Sequence, residues 1–249
     1  MAEAMLDERW RDWVAQNIER GCAREELLGI LLREGFDYEA SRRALFPLAV
    51  PGLQRVDSEQ LELFTAEHFL DSAECSRLIS LMQGGLRVST ITTPGEPDRF
   101  FRRSRTCDLG LLDDPLVREV DARICAGMQI PAELGEPMQG QHYDVDDEFK
   151  PHTDYFEAYE LERHCTPALG QRSWTFMIYL NEPASGGATA FVSSGILIRP
   201  QTGMAVIWNN LLPDGRPNPA TLHHGMPVKA GYKAIITKWF RRPGVAGLQ

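Results

Sequence analysis

Residues 149–156 read Phe-Lys-Pro-His-Thr-Asp-Tyr-Phe, and the fold prediction starts from them. His152 and Asp154 are two residues apart, the spacing at which side chains on a β-strand point to the same side. An imidazole and a carboxylate presented together suit a metal, and a further histidine would complete a 2-His-1-carboxylate set with open positions. By itself the pair is a weak signal, because a surface histidine beside a solvated aspartate gives the same pattern.

A second stretch supplies the missing histidine. Residues 221–233 read Thr-Leu-His-His-Gly-Met-Pro-Val-Lys-Ala-Gly-Tyr-Lys, and a predicted strand at 234–240 follows. Lys233 stands at the head of that strand, where a buried ammonium needs an anion to offset its desolvation. The distal carboxylate of 2-oxoglutarate is such an anion, and the keto-acid end of the molecule would chelate the metal. An exposed lysine at a strand end is the alternative.

Composition and charge exclude several classes of protein. The chain has 249 residues and a formal net charge of -9, which argues against a general attraction to nucleic acid or anionic membrane. It lacks an apolar run of the ~20 residues that span a bilayer, and its first residues lack a secretory pattern. The five cysteines are scattered without a Cys-x-x-Cys pair, so they predict neither a disulfide framework nor a structural zinc site. We therefore expect a reduced, cytoplasmic protein.

Two parts are expected along the chain. Residues 1–45 have apolar residues at helical spacing, with Gly21 and Gly35 as helix ends, and a Pro- and Gly-containing linker follows at 46–52. We predict a helical cap or interaction module over 1–50, through which a protein partner would bind. A catalytic domain is predicted over 60–243, opening with a strand and a helix that Asp71 caps together with Glu74.

From about residue 139 the pattern changes to short β-rich runs separated by Gly, Pro and Asn. The strand candidates are residues 174–180, 188–192, 196–198, 205–208 and 234–240. Closely spaced short strands with no helical pattern between them predict a sandwich, barrel or jelly roll.

Taken in order, these pieces resemble the prolyl 4-hydroxylase group of iron- and 2-oxoglutarate-dependent dioxygenases. The resemblance covers roughly residues 63–240, and each piece alone is weak, whereas this many in the family's order is a specific signal. The matching pieces are residues 69–79, Arg105-Thr-Cys107, 151–156, Gly170-Gln-Arg172, 177–180, 186–191, Ile198-Arg-Pro200, 222–228 and Thr237-Lys-Trp239.

The resemblance implies an α+β fold whose core is a double-stranded β-helix, the jelly roll of these oxygenases, with flanking helices. It assigns iron(II) to His152, Asp154 and His223. It assigns the distal carboxylate of 2-oxoglutarate to Lys233, which completes the set of four expected catalytic residues. His224, beside the third ligand, would occupy a variable position and point away from the metal.

Further residues follow from the same resemblance. Tyr143 would hydrogen-bond the cosubstrate, and Tyr179 and Thr189 would line its pocket. Trp239 stands where the family has an aromatic residue near the site, although a place in the core explains it equally well. Residues 89–105, polar and rich in Pro and Gly, are a candidate mobile loop over the site.

The implied reaction uses O2 and 2-oxoglutarate, with ascorbate as reductant, to hydroxylate an aliphatic C–H and release succinate and carbon dioxide. Its substrate would be peptidyl proline or another amino-acid residue, in a peptide, a protein or a free amino acid. Departures from the family pattern leave the metal ligands intact but put proline in doubt; they are Ala188 for glutamate, His142 for arginine, Phe149 for tyrosine, and the acidic stretch 144–148.

Two other functions stay open at the level of sequence. A metal-binding cupin-like domain or a zinc hydrolase would use the same three ligands, and an inactive oxygenase domain would serve as an interaction protein. The intact metal set together with Lys233 argues against both, because neither function needs a clamp for a dicarboxylate.

Overall fold

The computed structural model of the protein describes residues 6–90, 101–166 and 168–243. The helices in these ranges are α1 (Glu8–Glu19), α2 (Arg24–Arg33), α3 (Tyr38–Leu45), α4 (Ser72–Gln83), α5 (Pro115–Met128) and α6 (Leu161–His164). No helix among the described residues has the length and apolar character to cross a membrane. Most of the loop predicted to be mobile, residues 91–100, lies outside the described residues.

The ends predicted for the first two helices are confirmed. Gly21 and Gly35 directly follow the C-caps of α1 and α2 with φ of 81° and 86°, a conformation that glycine adopts without strain. Helices α1, α2 and α3 enclose a small core of their own, made of Leu6, Val14, Leu27, Leu31 and Leu45.

Helix α3 also bonds to the rest of the molecule. Arg242 Nη2 lies 3.3 Å from Asp37 Oδ2, and the carboxylate of Asp37 is buried. Arg42 Nη2 donates to the carbonyl oxygen of Met128, the last residue of α5, at 2.5 Å. The helical segment is therefore held by buried polar contacts as well as by apolar packing.

The strands form three antiparallel sheets. They are β1 (Leu53–Arg55), β2 (Leu63–Ala66), β3 (Arg87–Val88), β4 (Arg105–Cys107), β5 (Gln139–Tyr143), β6 (Phe149–His152), β7 (Leu169–Tyr179), β8 (Ser185–Gly186), β9 (Thr189–Phe191), β10 (Ile196–Ile198), β11 (Ala205–Asn209), β12 (His223–Gly225), β13 (Val228–Ala230) and β14 (Lys233–Pro243). The major sheet has the order β1-β2-β11-β7-β14-β5-β4-β3, the minor sheet the order β10-β9-β12-β6, and β13 pairs with β8. This is the antiparallel jelly-roll arrangement that the sequence predicts.

All five predicted strands are present, as β7, β9, β10, β11 and β14. The short strand β1 pairs with β2, so the major sheet includes residues 53–55. Helix α6 lies between β6 and β7, in a stretch that the sequence pattern assigned to strands and loops alone. It is a single turn of four residues, too short to produce a helical periodicity.

Alternation along β7 and β14 separates the two sides of the major sheet. Phe176, Ile178 and Ile236 pack in one cluster with residues of α4 and α5, such as Leu78 and Ile124. Residues at the alternate positions face a second cluster, between the major and minor sheets; this inner group comprises Tyr143, Met177, Tyr179, Phe191, Val206, Trp208 and Ile235. Because side chains alternate along a strand, one face of the sheet carries the helices and the other carries the interior of the jelly roll.

Candidate metal and cosubstrate site

The three predicted metal ligands come together on the minor sheet. His152 is the last residue of β6, His223 is the first residue of β12, and the two are direct partners in the antiparallel register. Ligand atoms of His152, Asp154 and His223 all lie within 4.8 Å of one another. Among the described residues, no other group of three or more His, Cys, Asp or Glu side chains meets this criterion.

The prediction of one continuous strand through both His152 and Asp154 is wrong. Strand β6 ends at His152, and Asp154 lies in the bend that follows. Its carboxylate nevertheless approaches the imidazole, with 3.9 Å between Asp154 Oδ1 and His152 Nε2. Thr175 on β7 holds this carboxylate, donating its hydroxyl proton to Asp154 Oδ2 at 2.7 Å. The hydrogen bond from Thr175, and not a shared strand face, therefore positions the Asp154 carboxylate beside His152.

Backbone carbonyls orient both imidazole rings. His152 Nδ1 lies 2.8 Å from the carbonyl oxygen of Lys150, and His223 Nδ1 lies 2.9 Å from that of Thr221. A proton on Nδ1 satisfies each carbonyl and leaves Nε2 free to bind a metal. Burial, with a contribution from the neighbouring His223, lowers the pKa of His152 and favours the neutral ring that a metal requires.

His224, adjacent to the third ligand, has a different environment. Its Nε2 lies 2.8 Å from Glu148 Oε2, and it is not part of the ligand cluster. Neighbouring residues on a strand point to opposite faces, which separates the two histidines.

The three ligands line one small cavity. Its further lining includes Gln141, Tyr143, Thr189, Lys233, Thr237 and Trp239. Residues 233, 235, 237 and 239 alternate along β14, which explains why four side chains of one strand reach the same cavity.

Lys233 is the cation of this cavity, and its side chain is only 1% exposed. Its Nζ donates to the carbonyl oxygen of Gly187 at 3.1 Å and lies 4.3 Å from the centre of the Tyr143 ring. No acidic side chain in the described part of the chain forms an ion pair with it. Burial lowers the pKa of Lys233 from 10.5 to about 7. An anion in the cavity would restore the charged form.

Two indoles of the cavity lining have unpaired nitrogens. Trp208 Nε1 and Trp239 Nε1 are buried and have no hydrogen-bond acceptor within the described part of the chain. Buried donors without acceptors are costly, and a ligand rich in oxygen atoms would satisfy them. Together with the ammonium of Lys233, these donors fit a small dicarboxylate. Two imidazoles and one carboxylate fit iron(II).

The other predicted cosubstrate residues line or back this cavity. Tyr143 donates its hydroxyl proton to Gln141 Oε1 at 3.0 Å, and burial raises its pKa. Tyr179 Oη and Thr189 Oγ1 lie 2.6 Å apart; Thr189 lines the cavity, with Tyr179 behind it.

Sequence reasoning missed two polar residues of the cavity. Gln141 Nε2 donates to Thr237 Oγ1 at 3.3 Å, so Gln141 links Tyr143 to Thr237 across β5 and β14. The signal was available, because Gln141 stands two residues before Tyr143 and Thr237 four residues after Lys233, on the same strand faces.

A wider groove opens beside the metal ligands. Arg102, Phe149, His152, Asp154, Tyr155 and Arg172 contribute to its lining. Arg172 forms two hydrogen bonds with Glu136, from Nε to Oε1 at 2.8 Å and from Nη2 to Oε2 at 2.6 Å. Burial alone would raise the pKa of Glu136, but the hydrogen bond and charge of Arg172, with those of Arg241, lower it.

Comparison with known proteins decides the family. The sequence pattern of the 2OG-Fe(II) oxygenase superfamily matches residues 138–241. Prolyl 4-hydroxylase 5 of Arabidopsis thaliana is 33% identical over 195 residues, which cover 70% of this chain and 66% of the relative. Probable prolyl 4-hydroxylase 3 of the same plant is 30% identical over 198 residues, which cover 71% and 68%. The chain belongs to the prolyl 4-hydroxylase-like 2-oxoglutarate- and iron(II)-dependent oxygenases.

The match covers about two thirds of the length of these plant prolyl 4-hydroxylases. Among solved structures, a viral collagen prolyl hydroxylase from Paramecium Bursaria Chlorella virus-1 superimposes with a TM-score of 0.51 at 23% sequence identity. That alignment covers 78% of this chain and 98% of the viral one. At this identity the likeness supports the fold alone, the double-stranded β-helix of the prolyl 4-hydroxylase-like oxygenases.

Proposed function

We propose that this oxygenase hydroxylates an aliphatic C–H of an amino-acid residue, using iron(II), O2 and 2-oxoglutarate and releasing succinate and carbon dioxide. One observation carries the proposal: the cluster of His152, Asp154 and His223 shares a cavity with Lys233, a buried cation without a carboxylate partner among the described residues. A metal that keeps open positions and a cosubstrate with two carboxylates together account for both features.

Each residue then has a defined task. His152, Asp154 and His223 would hold iron(II), which when bound supplies O2 activation coupled to decarboxylation of 2-oxoglutarate. Lys233 would bind the distal carboxylate of the cosubstrate, with Tyr143 and Thr189 beside it. The apolar and aromatic walls of the cavity would exclude water from the reacting groups. Ascorbate would serve as external reductant.

The identity of the substrate is a finer proposal. Peptidyl proline is supported by the names of the plant relatives, and another residue of a peptide or protein fits the open groove equally well. A protein partner would bind through residues 1–50, and the domain proposed at 60–243 would carry the chemistry. The location we propose is the cytoplasm, on the ground of the unpaired cysteines.

Succinate release tests the function directly. Purified protein is incubated with iron(II), ascorbate and 2-oxoglutarate, with and without proline-containing peptides, and succinate is measured together with a gain of one oxygen atom in the peptide. We expect succinate only when both iron(II) and 2-oxoglutarate are present. The matched controls are Lys233→Ala, which should need far more 2-oxoglutarate, and His224→Ala, which should not.

The same experiment distinguishes the two alternatives. Hydrolysis of a test ester or amide with zinc, independent of 2-oxoglutarate, would support the cupin-like or zinc hydrolase function. Tight iron binding without any succinate, with or without peptide, would support an inactive interaction protein. Either result would overturn the proposal.

A further inference from the structure

Two arginines of the described residues line the groove beside the metal ligands, and one of them already has a carboxylate partner. Arg172 forms its bidentate pair with Glu136, and its guanidinium lies 4.1 Å from the centre of the Trp239 ring. Glu136 Oε1 also lies 3.1 Å from Arg241 Nη1, so Arg172 shares a carboxylate that occupies two of its donors.

Arg102 is in the opposite situation. Among the described residues, its guanidinium donates only to neutral oxygens. Nε donates to Ser104 Oγ at 3.3 Å, Nη1 to the carbonyl of Thr90 at 3.1 Å and Nη2 to Thr106 Oγ1 at 3.4 Å. These bonds are long for a charged donor. No acidic side chain within residues 6–90, 101–166 and 168–243 forms an ion pair with it. Burial also lowers the pKa of Arg102.

The backbone fixes Arg102 close to the metal ligands. Phe101 accepts a hydrogen bond from Lys150 N at 2.9 Å, and Arg102 forms a bridge with Phe149, so the segment runs along β6. The Arg102 guanidinium lies 4.8 Å from the centre of the Phe149 ring. Phe149 in turn stacks on His152, with ring centres 3.4 Å apart and planes 16° apart. One aromatic ring therefore separates this cation from a metal ligand.

We propose that Arg102 binds a carboxylate of the substrate, so that the enzyme takes peptides or amino acids with an acidic group close to the carbon that is hydroxylated. The inference rests on the proposed function and adds the chemical class of the substrate. A half-buried guanidinium with weak neutral partners gains most from a planar carboxylate, which matches its two parallel donors. The carboxylate comes from an Asp or Glu side chain or from a free C-terminus.

Charges elsewhere in the groove orient such a substrate. Glu157 and Glu160 belong to the segment after the metal ligands and line the same groove. The Glu160 carboxylate is buried and accepts the backbone N–H of Glu157 through Oε2 at 2.9 Å. Like charges repel, so an acidic group of the substrate is favoured beside Arg102 and disfavoured beside these two residues.

A peptide series tests the charge preference in the wild-type protein. The probes are four versions of one acetylated Ala-Pro repeat peptide: neutral with an amidated end, with a free C-terminal carboxylate, with an internal Glu, and with Gln in place of that Glu. Dissociation constants are measured by calorimetry on protein loaded with manganese(II) and 2-oxoglutarate. We expect at least one acidic peptide to bind about ten- to a hundredfold more tightly than its neutral counterpart. The favoured acidic peptide shows whether the carboxylate is terminal or internal.

Variants assign the preference to Arg102. Arg102→Gln should bind all four peptides with similar affinity, and Arg102→Lys should keep part of the preference. The matched control is Arg103→Gln, which removes the same charge one residue away and should behave as wild type. Equal binding of acidic and neutral peptides by the wild type overturns the inference, and so does a preference that persists in Arg102→Gln. A greater 2-oxoglutarate requirement in Arg102→Gln, with the peptide preference kept, would assign Arg102 to the cosubstrate instead.

Succinate release without peptide separates this inference from the proposed function. If the wild type releases no succinate under any condition, the proposed function fails. If it releases succinate but shows no charge preference, only the inference about the substrate fails.

Discussion

Thr175 donates its hydroxyl proton to Asp154 Oδ2 at 2.7 Å, and Asn210 Nδ2 donates to Thr175 Oγ1 at 2.9 Å. All three side chains are buried. One oxygen of the Asp154 carboxylate is thus occupied by a protein donor, which leaves Oδ1, the atom nearer His152 Nε2, for a metal. This hydrogen bond connects β7 of the major sheet to Asp154, which follows the end of β6 and belongs to no strand.

Removal of the Thr175 hydroxyl should weaken metal binding. Thr175→Val keeps the shape of the side chain, and we expect a loss of about ten- to a hundredfold in iron(II) affinity, as for other groups that orient metal ligands. Affinity is measured by competition with a chelator. Thr175→Ser is the matched control, because it retains the hydroxyl. Equal affinity of the Val and Ser variants would show that the bond does not position Asp154.

The two adjacent histidines should differ sharply. His223→Ala removes one of three ligands, and we expect loss of both iron(II) binding and succinate release, because two ligands hold a divalent metal poorly. His224→Ala should retain iron, with at most the ~10–100-fold loss of activity that an orienting group causes. The metal content of both purified variants is measured side by side. If His224→Ala contained no iron and His223→Ala did, His224 would be the metal ligand. The role of Lys233 would then have to be reassigned as well.

Lys233→Ala should raise the 2-oxoglutarate requirement while sparing iron. Loss of one partner of a buried charge pair costs about 3–5 kcal/mol, which corresponds to more than a hundredfold in affinity. The apparent KM for 2-oxoglutarate and the iron content are measured on the same preparation. Unchanged 2-oxoglutarate affinity would remove Lys233 from the cosubstrate site.

The binding of 2-oxoglutarate should depend on pH through the same residue. Burial lowers the pKa of Lys233 from 10.5 to about 7, so in the absence of ligand this lysine is charged below pH 7 and becomes neutral above it. Binding of a carboxylate requires the charged form, so affinity should fall above pH 7 by up to about tenfold per pH unit. Calorimetry at pH 8 in buffers of different ionisation enthalpy should detect proton uptake on binding. Lys233→Met is the control and should show less uptake than wild type.

The same shift has a consequence for folding. Lys233 is charged in the unfolded chain up to about pH 10.5, whereas the folded protein releases that proton near pH 7. The cost of burying the ammonium is therefore fully present below pH 7 and is relieved between pH 7 and 10.5, so this residue makes stability rise with pH in that window. Lys233→Met should remove this contribution in urea unfolding measured across the window.

Deletion of residues 1–45 should leave the metal site in place but lower stability. The ligands and Lys233 all belong to strands or bends after residue 149, whereas α3 contributes the Asp37–Arg242 ion pair and the Arg42 hydrogen bond to Met128. We expect a lower unfolding temperature with iron binding and 2-oxoglutarate turnover retained. Loss of iron binding in a truncated protein with a cooperative unfolding transition would contradict the two-part organisation.

Local sequence patterns predicted much of the fold. Gly21 and Gly35 marked helix ends because a positive φ favours glycine, and Asp71 with Glu74 formed the expected capping box. The alternation of side chains along residues 233–239 follows from the predicted strand, because the geometry of a strand fixes the side-chain period. Helix α6 was missed because four residues are too few to show a helical period, and β1 lies in a stretch for which no structure was predicted.

The amino-acid sequence alone predicts the candidate groups. The spacing of His152 and Asp154, the histidine at 223 and the lysine at 233 suggest a ligand set and its cation without reference to contacts. How those groups are held depends on the tertiary structure. Thr175 reaches Asp154 from another sheet, and Arg102 meets β6 through bridges between residues far apart in sequence. Hydrogen bonds and ion pairs between residues distant in sequence depend on the folded path of the chain. A local sequence pattern contains no information about that path. The same holds for the lack of an ion pair at Arg102, which becomes visible only when its neighbours among the described residues are known.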